Sequence, residues 1–144
     1  MPSGSCWCGA CAYTYSGEPA LKALCHCITC RKVSGSSNTV NFAIPDGNFV
    51  LQKGTPTKFA KEHESGMTLT IYFCPQCGST IYKEGSADMF QGLKLVQAGT
   101  LHDNTLLSSG IAAELYVSER ATWLANVSGA AEMATFTNDA KSSL

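Results

Sequence analysis

A mainly β domain of short strands is what this sequence predicts, on three observations. Stretches of β-branched and aromatic residues alternate with polar ones, Gly, Pro, Asn and Asp interrupt them at close intervals, and helical periodicity is almost absent. At 144 residues the chain is about one domain with room for a real core, and 44% hydrophobic with 15% charged residues is a globular composition.

In chain order, residues 11–15 alternate and stop at Ser16-Gly17, which predicts the first strand, and Glu18-Pro19 is a turn. Leu21 to Leu24 leads into Cys25-His26-Cys27-Ile28-Thr29-Cys30-Arg31-Lys32. Residues 29–33 form one helical turn, broken at Ser34-Gly35-Ser36-Ser37. Strands follow at 39–44, ending at Pro45-Asp46-Gly47, and at 49–52, closed by Lys53-Gly54-Thr55-Pro56. The strongest strand signal is 67–73, β-branched and aromatic throughout. It runs into Cys74-Pro75-Gln76-Cys77-Gly78 and then Thr80-Ile81-Tyr82, the strand–knuckle–strand pattern of a zinc ribbon. Later strands are expected at 93–98 and 111–117, separated by residues 99–104. The polar stretch 135–144 reads as a loose tail, leaving one domain over 1–134.

A net charge of −1 gives no electrostatic footprint for nucleic acid and no basic membrane patch. No apolar run is long enough for a transmembrane helix. Residues 1–5 lack the charged and apolar regions of a signal peptide, so a cytoplasmic location is expected. In that compartment eight cysteines point to metal rather than disulfides. Their Cys-x-Cys and Cys-x-x-Cys spacings are awkward for a disulfide and well suited to gripping one ion.

Seven of the cysteines lie in motifs: Cys6 and Cys8; Cys25, Cys27 and Cys30; Cys74 and Cys77. Structural zinc takes four protein ligands, and catalytic zinc takes three and keeps an open position. The economical partition joins Cys6 and Cys8 to Cys74 and Cys77 and leaves Cys25, Cys27 and Cys30 as a three-thiolate face. Spacing leaves two alternatives open: Cys6 and Cys8 could join the 25–30 cluster, and Cys11 could be a fourth ligand there. Cys11 otherwise reads as a buried core residue.

The sequence resembles the glutathione-dependent formaldehyde-activating enzyme family, which includes centromere protein V and has the Mss4-like fold. The resemblance rests on Gly4-Ser5-Cys6-Trp7-Cys8-Gly9, Cys25 to Lys32, Gly35-Ser36, Phe73-Cys74-Pro75-Gln76-Cys77-Gly78, Gly99-Thr100-Leu101 and Trp123, over roughly residues 4–125. It implies an Mss4-like fold of short antiparallel strands with zinc knuckles and little helix. It also implies two zinc ions per chain, a structural one on Cys6, Cys8, Cys74 and Cys77 and a catalytic one on Cys25, Cys27 and Cys30. The implied activity is condensation of formaldehyde with glutathione, or its reverse, a carbon–sulfur lyase reaction. Two positions depart from the family pattern: His102 stands where an Asp is common, and Glu114 where a His is common. They bear on substrate choice if they shape the pocket.

A zinc with three thiolates is suited to one more soft ligand, such as a substrate thiolate. Arg31 and Lys32 are expected to offset the anionic site and hold substrate carboxylates, and the Ser36 loop to present backbone amides. Their bland alternatives are solvated cations and a plain loop. His26, between two ligands, is expected to point away from the metal. His63 reads as a solvated loop residue and His102 as structural. Trp7, Phe42, Tyr72, Phe73 and Tyr82 read as core, with Phe42 and Trp123 also candidates to wall the pocket. The function expected is a zinc-dependent carbon–sulfur lyase or synthase acting on glutathione or another thiol adduct. Two alternatives stand beside it, a zinc-pocket enzyme for another small metabolite in a tailoring pathway and a non-catalytic zinc-binding interaction module.

Overall fold

Alternating segments become strands where a partner lets them bury one face. The computed structural model describes residues 1–137. Among them the strands are β1 (Ser3–Ser5), β2 (Ala12–Tyr15), β3 (Leu21–Cys25), β4 (Thr39–Pro45), β5 (Phe49–Lys53), β6 (Thr57–Glu62), β7 (Thr68–Phe73), β8 (Thr80–Gly85), β9 (Leu93–Gln97), β10 (Ala113–Leu115) and β11 (Ala131–Met133). Two short helices accompany them, α1 (Ile28–Ser34) and α2 (Asn104–Leu107). The domain is therefore mainly β, as the sequence predicts.

A small sheet has the order β1-β2-β5 and a large one β11-β10-β3-β4-β9-β8-β7-β6. Most neighbours are antiparallel, but β10 runs parallel to both β3 and β11. Parallel neighbours need crossovers rather than tight turns, and β10 is joined to the fold by long segments on either side. The sequence reading also passed over β6. All six of its residues are exposed, and it forms an edge by pairing with β7.

The large sheet is buried on both faces, and register decides what each face carries. Phe42, Val96 and Tyr82 stand opposite one another across β4, β9 and β8. Together with Ile44 they pack against Tyr13, Tyr15 and Phe49 of the small sheet. One residue along, the row Leu21, Ala43, Leu95, Lys83 crosses β3, β4, β9 and β8 on the opposite face. The side-chain period of two makes this separation obligatory.

Of the expected tail, residues 135–137 are described. Thr135 is buried, and the Phe136 ring lies 5.0–5.2 Å from those of His63, Tyr116 and Phe90. The rest of the expected tail, 138–144, lies outside the described residues.

Candidate metal centres

Two knuckle turns bring the first cysteine group together. Gly9 N donates to Cys6 O and Gly78 N to Cys74 O, at 3.2 and 2.9 Å. Both glycines take positive φ, 80° and 79°, a conformation that costs glycine little. The result places the sulfurs of Cys6, Cys8, Cys74 and Cys77 within 4.8 Å of one another. Cys8 Sγ lies 3.7 Å from both Cys6 Sγ and Cys74 Sγ. A tetrahedron with metal–sulfur bonds of about 2.3 Å has edges of about 3.8 Å, so the donor set fits a zinc ion. Cys11 N donates to Cys6 Sγ at 3.3 Å and Gln76 N to Cys74 Sγ at 3.4 Å, donors that suit thiolates. The Ser79 hydroxyl and backbone amide lower the Cys77 thiol to about 5. Cys11 is buried beside this group, and burial followed by contact with Cys74 pushes its thiol up to about 11. It is not near enough to the 25–30 cluster to be grouped with it.

The second group is set by the end of β3 and the start of α1. Cys27 caps the helix, its sulfur accepting from Cys30 N at 3.2 Å. Cys25, Cys27 and Cys30 are all buried, and their sulfurs also lie within 4.8 Å of one another. Hydrogen bonds from Cys25 and Cys27 hold the Cys30 thiol well below its ordinary value of 9.0, with help from the charge of Lys83. Three such thiols fit a soft divalent ion, and His63 and Glu64 bring further donor atoms within 4.8 Å of Cys27 Sγ.

All three line a cavity of about 40 Å³ on the inner face of the large sheet. That is room for little more than one or two water-sized groups. Its walls are otherwise mainly apolar, with Leu21, Ala43, Leu95, Phe90 and Phe136 among them. Polar groups reach it from Lys83, His63 and Asn41.

Lys83 and His63 are what the sequence reading missed. Lys83 is 2% exposed, and its Nζ donates to Cys30 Sγ at 3.5 Å and to Thr39 Oγ1 at 3.3 Å. His63, expected in solvent, is 3% exposed with Nε2 3.4 Å from Cys27 Sγ. The cause is its neighbour Glu64, which accepts from Ile28 N at 2.9 Å, Thr29 N at 3.2 Å and Thr29 Oγ1 at 2.7 Å. Glu64 thereby satisfies the open first turn of α1, and the loop that carries it draws His63 inward. Ser65 N donates to His63 Nδ1 at 3.0 Å, so in the neutral ring the proton sits on Nε2, facing Cys27 Sγ and Glu64 Oε1. Burial works against the Glu64 carboxylate, but the Thr29 hydroxyl, His63 and the two amides outweigh it and lower its pKa below 4.5.

Other expected site residues are placed as follows. Arg31, Lys32 and Ser36 are exposed. The cation in contact with the thiols is Lys83. Lys32 instead lines a groove of about 380 Å³ with Ile28, Val33, Phe59, Lys61 and Ile71. Leu69 lines both this groove and the cavity. Ser36 N donates to Ser34 Oγ at 3.1 Å within its own turn.

The ring of His26 does turn away from the thiols. It is fully buried and its Nε2 donates to Glu114 Oε1 at 2.8 Å, while Arg120 and Val127 N complete the carboxylate's partners. His102 is exposed, its ring lying near Ser3 Oγ at 3.3 Å and Ser5 Oγ at 3.1 Å. Neither departure from the family pattern lines the cavity. Phe42 is in the core on the opposite face. Trp7 and Trp123 are 91% and 76% exposed, so neither the core reading of Trp7 nor the pocket reading of Trp123 holds: Trp7 sits at the tip of a surface knuckle, and Trp123 lies in a surface turn beyond β10. Tyr116, buried against the thiol cluster in a left-handed conformation (φ 56°), has a hydroxyl with no hydrogen-bond partner among the described residues.

The sequence profile described as "Glutathione-dependent formaldehyde-activating enzyme" matches residues 1–119. Among solved structures, a Rhodobacter sphaeroides protein is similar at a TM-score of 0.58 and 17% identity, over 76% of this chain and 96% of that one. At that identity the likeness is one of fold. A search of curated proteins finds no match.

Proposed function

The chain belongs to the glutathione-dependent formaldehyde-activating enzyme family, and from that premise we propose that it makes or breaks a carbon–sulfur bond between a thiol and a small carbonyl compound. The observation that carries the reading is the convergence of three buried thiols on a cavity. The group formed by Cys6, Cys8, Cys74 and Cys77 has four sulfurs and lines no such cavity.

In this reading the four-cysteine group holds a structural zinc ion, and Cys25, Cys27 and Cys30 hold a second. The second ion supplies a low pKa to a substrate thiol, keeping its sulfur a nucleophile near neutral pH. The cavity, at about 40 Å³, is too small for a whole tripeptide, so only the thiol end of such a substrate enters it. The body of a glutathione-like thiol then lies in the neighbouring groove, where Lys32 and Lys61 offer charge to its carboxylates. Apolar walls with Phe136 keep bulk water from the adduct. The balance is simple. The sulfur adds to the carbonyl carbon, the C=O π pair moves to oxygen, and the proton lost by the thiol ends there, giving a hydroxyalkyl thioether. The reverse expels the thiolate. Cytoplasmic location belongs to the same reading; what is observed is that no helix among the described residues is long and apolar enough to cross a membrane.

The test is NMR observation of S-(hydroxymethyl)glutathione formation from formaldehyde and glutathione, with and without the zinc-loaded protein. Accelerated exchange that disappears in Cys27→Ser supports the proposal. Tight thiol binding without acceleration would move the search to another carbonyl partner, and no thiol binding at millimolar concentration would reject the thiol substrate.

A further inference from the structure

Lys83 lies at a strand position where the fold wants an apolar side chain. Its cross-strand neighbours are Leu95 on β9 and Ile71 on β7, and it is 2% exposed. A buried ammonium is costly unless paired. Among the described residues no carboxylate pairs with it, and the contacts it makes are with Cys30 Sγ and Thr39 Oγ1. The charge that compensates Lys83 is therefore that of the thiol cluster.

We propose that Lys83 is the positioning and charge-balancing residue that lets the three-cysteine centre accept an anionic sulfur ligand, and so sets its preference for thiolates over neutral donors. This rests on Cys25, Cys27 and Cys30 holding a divalent ion. The charge count carries the argument. A divalent ion with three thiolates carries −1, and a fourth thiolate makes it −2 inside a cavity walled by Leu21, Ala43, Leu95, Phe90 and Phe136. With Lys83 against Cys30 each step is one unit less negative, and the Glu64 carboxylate, within 4.8 Å of Cys27 Sγ, adds one negative charge throughout, which raises the need for the lysine. Low polarity in the walls makes each unbalanced charge expensive, so the lysine acts mainly on the anionic ligand. A neutral donor such as imidazole leaves the net charge unchanged and gains little from the lysine. His63, the other donor at the cluster, faces Cys27 and shares its proton with Glu64, so it adds no free charge of its own.

The test uses the full chain with zinc in the four-cysteine site and cobalt(II) in the three-cysteine site. Visible absorption bands report the ligands of the cobalt. Titrations with 2-mercaptoethanol and with imidazole are compared in wild type, Lys83→Met and Lys83→Arg. For Lys83→Met the thiol Kd is expected to rise by about tenfold or more, while the imidazole Kd stays within about threefold; Lys83→Arg keeps the thiol preference. If Lys83→Met weakens both ligands equally, or neither, Lys83 is a packing residue and the proposal fails. If Lys83→Met does not fold, Lys83→Gln, neutral but polar, takes its place under the same criteria. Failure of the metal-centre reading is seen separately: wild type would then show no sulfur-to-cobalt bands before any ligand is added, and the Lys83 proposal would fall with it.

Discussion

Cys6, Cys8, Cys74 and Cys77 meet where two knuckle turns touch, and Cys8 there is exposed; Cys25, Cys27 and Cys30 are all buried beneath the large sheet. The donors to the first group are backbone amides and the hydroxyl of Ser79. The second also has an amide, but its other donors are a lysine and an imidazole, and it looks into a cavity. Sulfur is common to both. What differs is the rest of the surroundings: four sulfurs held by amides and a hydroxyl in one group, three sulfurs met also by a buried lysine and an imidazole in the other. In the proposed reading the first group stabilises the fold and the second is stabilised by it.

The largest effect that could break this comparison is loss of the fold in Cys74→Ser. An apparent metal contribution of about 10–16 kcal/mol for structural zinc exceeds the stability of most domains of this size. Far-ultraviolet circular dichroism of the variant should show an unfolded chain at 25 °C; a cooperative melt near wild type would mean that the four-cysteine group is not the staple. Second in size is Glu114→Ala, which removes the carboxylate partner of buried His26, next to Cys25 and Cys27, and of Arg120. Urea denaturation should give a loss of about 3 kcal/mol, and a loss below about 1 kcal/mol would show that the metal rather than the protein frames the open site.

Lys32→Ala sharpens the comparison from the substrate side. An exposed cation in the groove should change KM for an acidic thiol by about threefold to tenfold with kcat unchanged, an effect that added salt removes. An unchanged KM would place the substrate body elsewhere. The smallest effect concerns Glu64. Its folded pKa is lowered, so its contribution to stability is fully present above about 4.5 and is lost as the pH falls through the lower folded value. Wild type should therefore lose up to about 1 kcal/mol on acidification below pH 4.5 that Glu64→Gln does not lose. Parallel stability–pH curves for the two proteins would show that Glu64 is not anchoring α1.

The parts legible in the sequence were those with a local cause. Alternation marked β2 and β4, β-branched and aromatic content marked β7, and the cysteine spacing marked every member of both thiol groups. Gly78 marked the second knuckle. What could not be read has non-local causes. Thr57–Glu62 carries no buried face and becomes a strand only because β7 offers an edge. His63 looked solvated because the helix end that attracts Glu64 is 36 residues away. Lys83 stands in Tyr82-Lys83-Glu84, an ordinary surface sequence until β9 places Leu95 opposite it.

The most direct measurement is native mass spectrometry of metal content, paired with thermal melting, for wild type, Cys27→Ser and Cys74→Ser made without chelator. The account predicts two zinc ions in wild type, one zinc with a preserved cooperative melt in Cys27→Ser, and no cooperative melt in Cys74→Ser. Equal unfolding of both variants, or a Cys27→Ser protein that keeps both ions, would contradict the division into a closed structural site and an open reactive one.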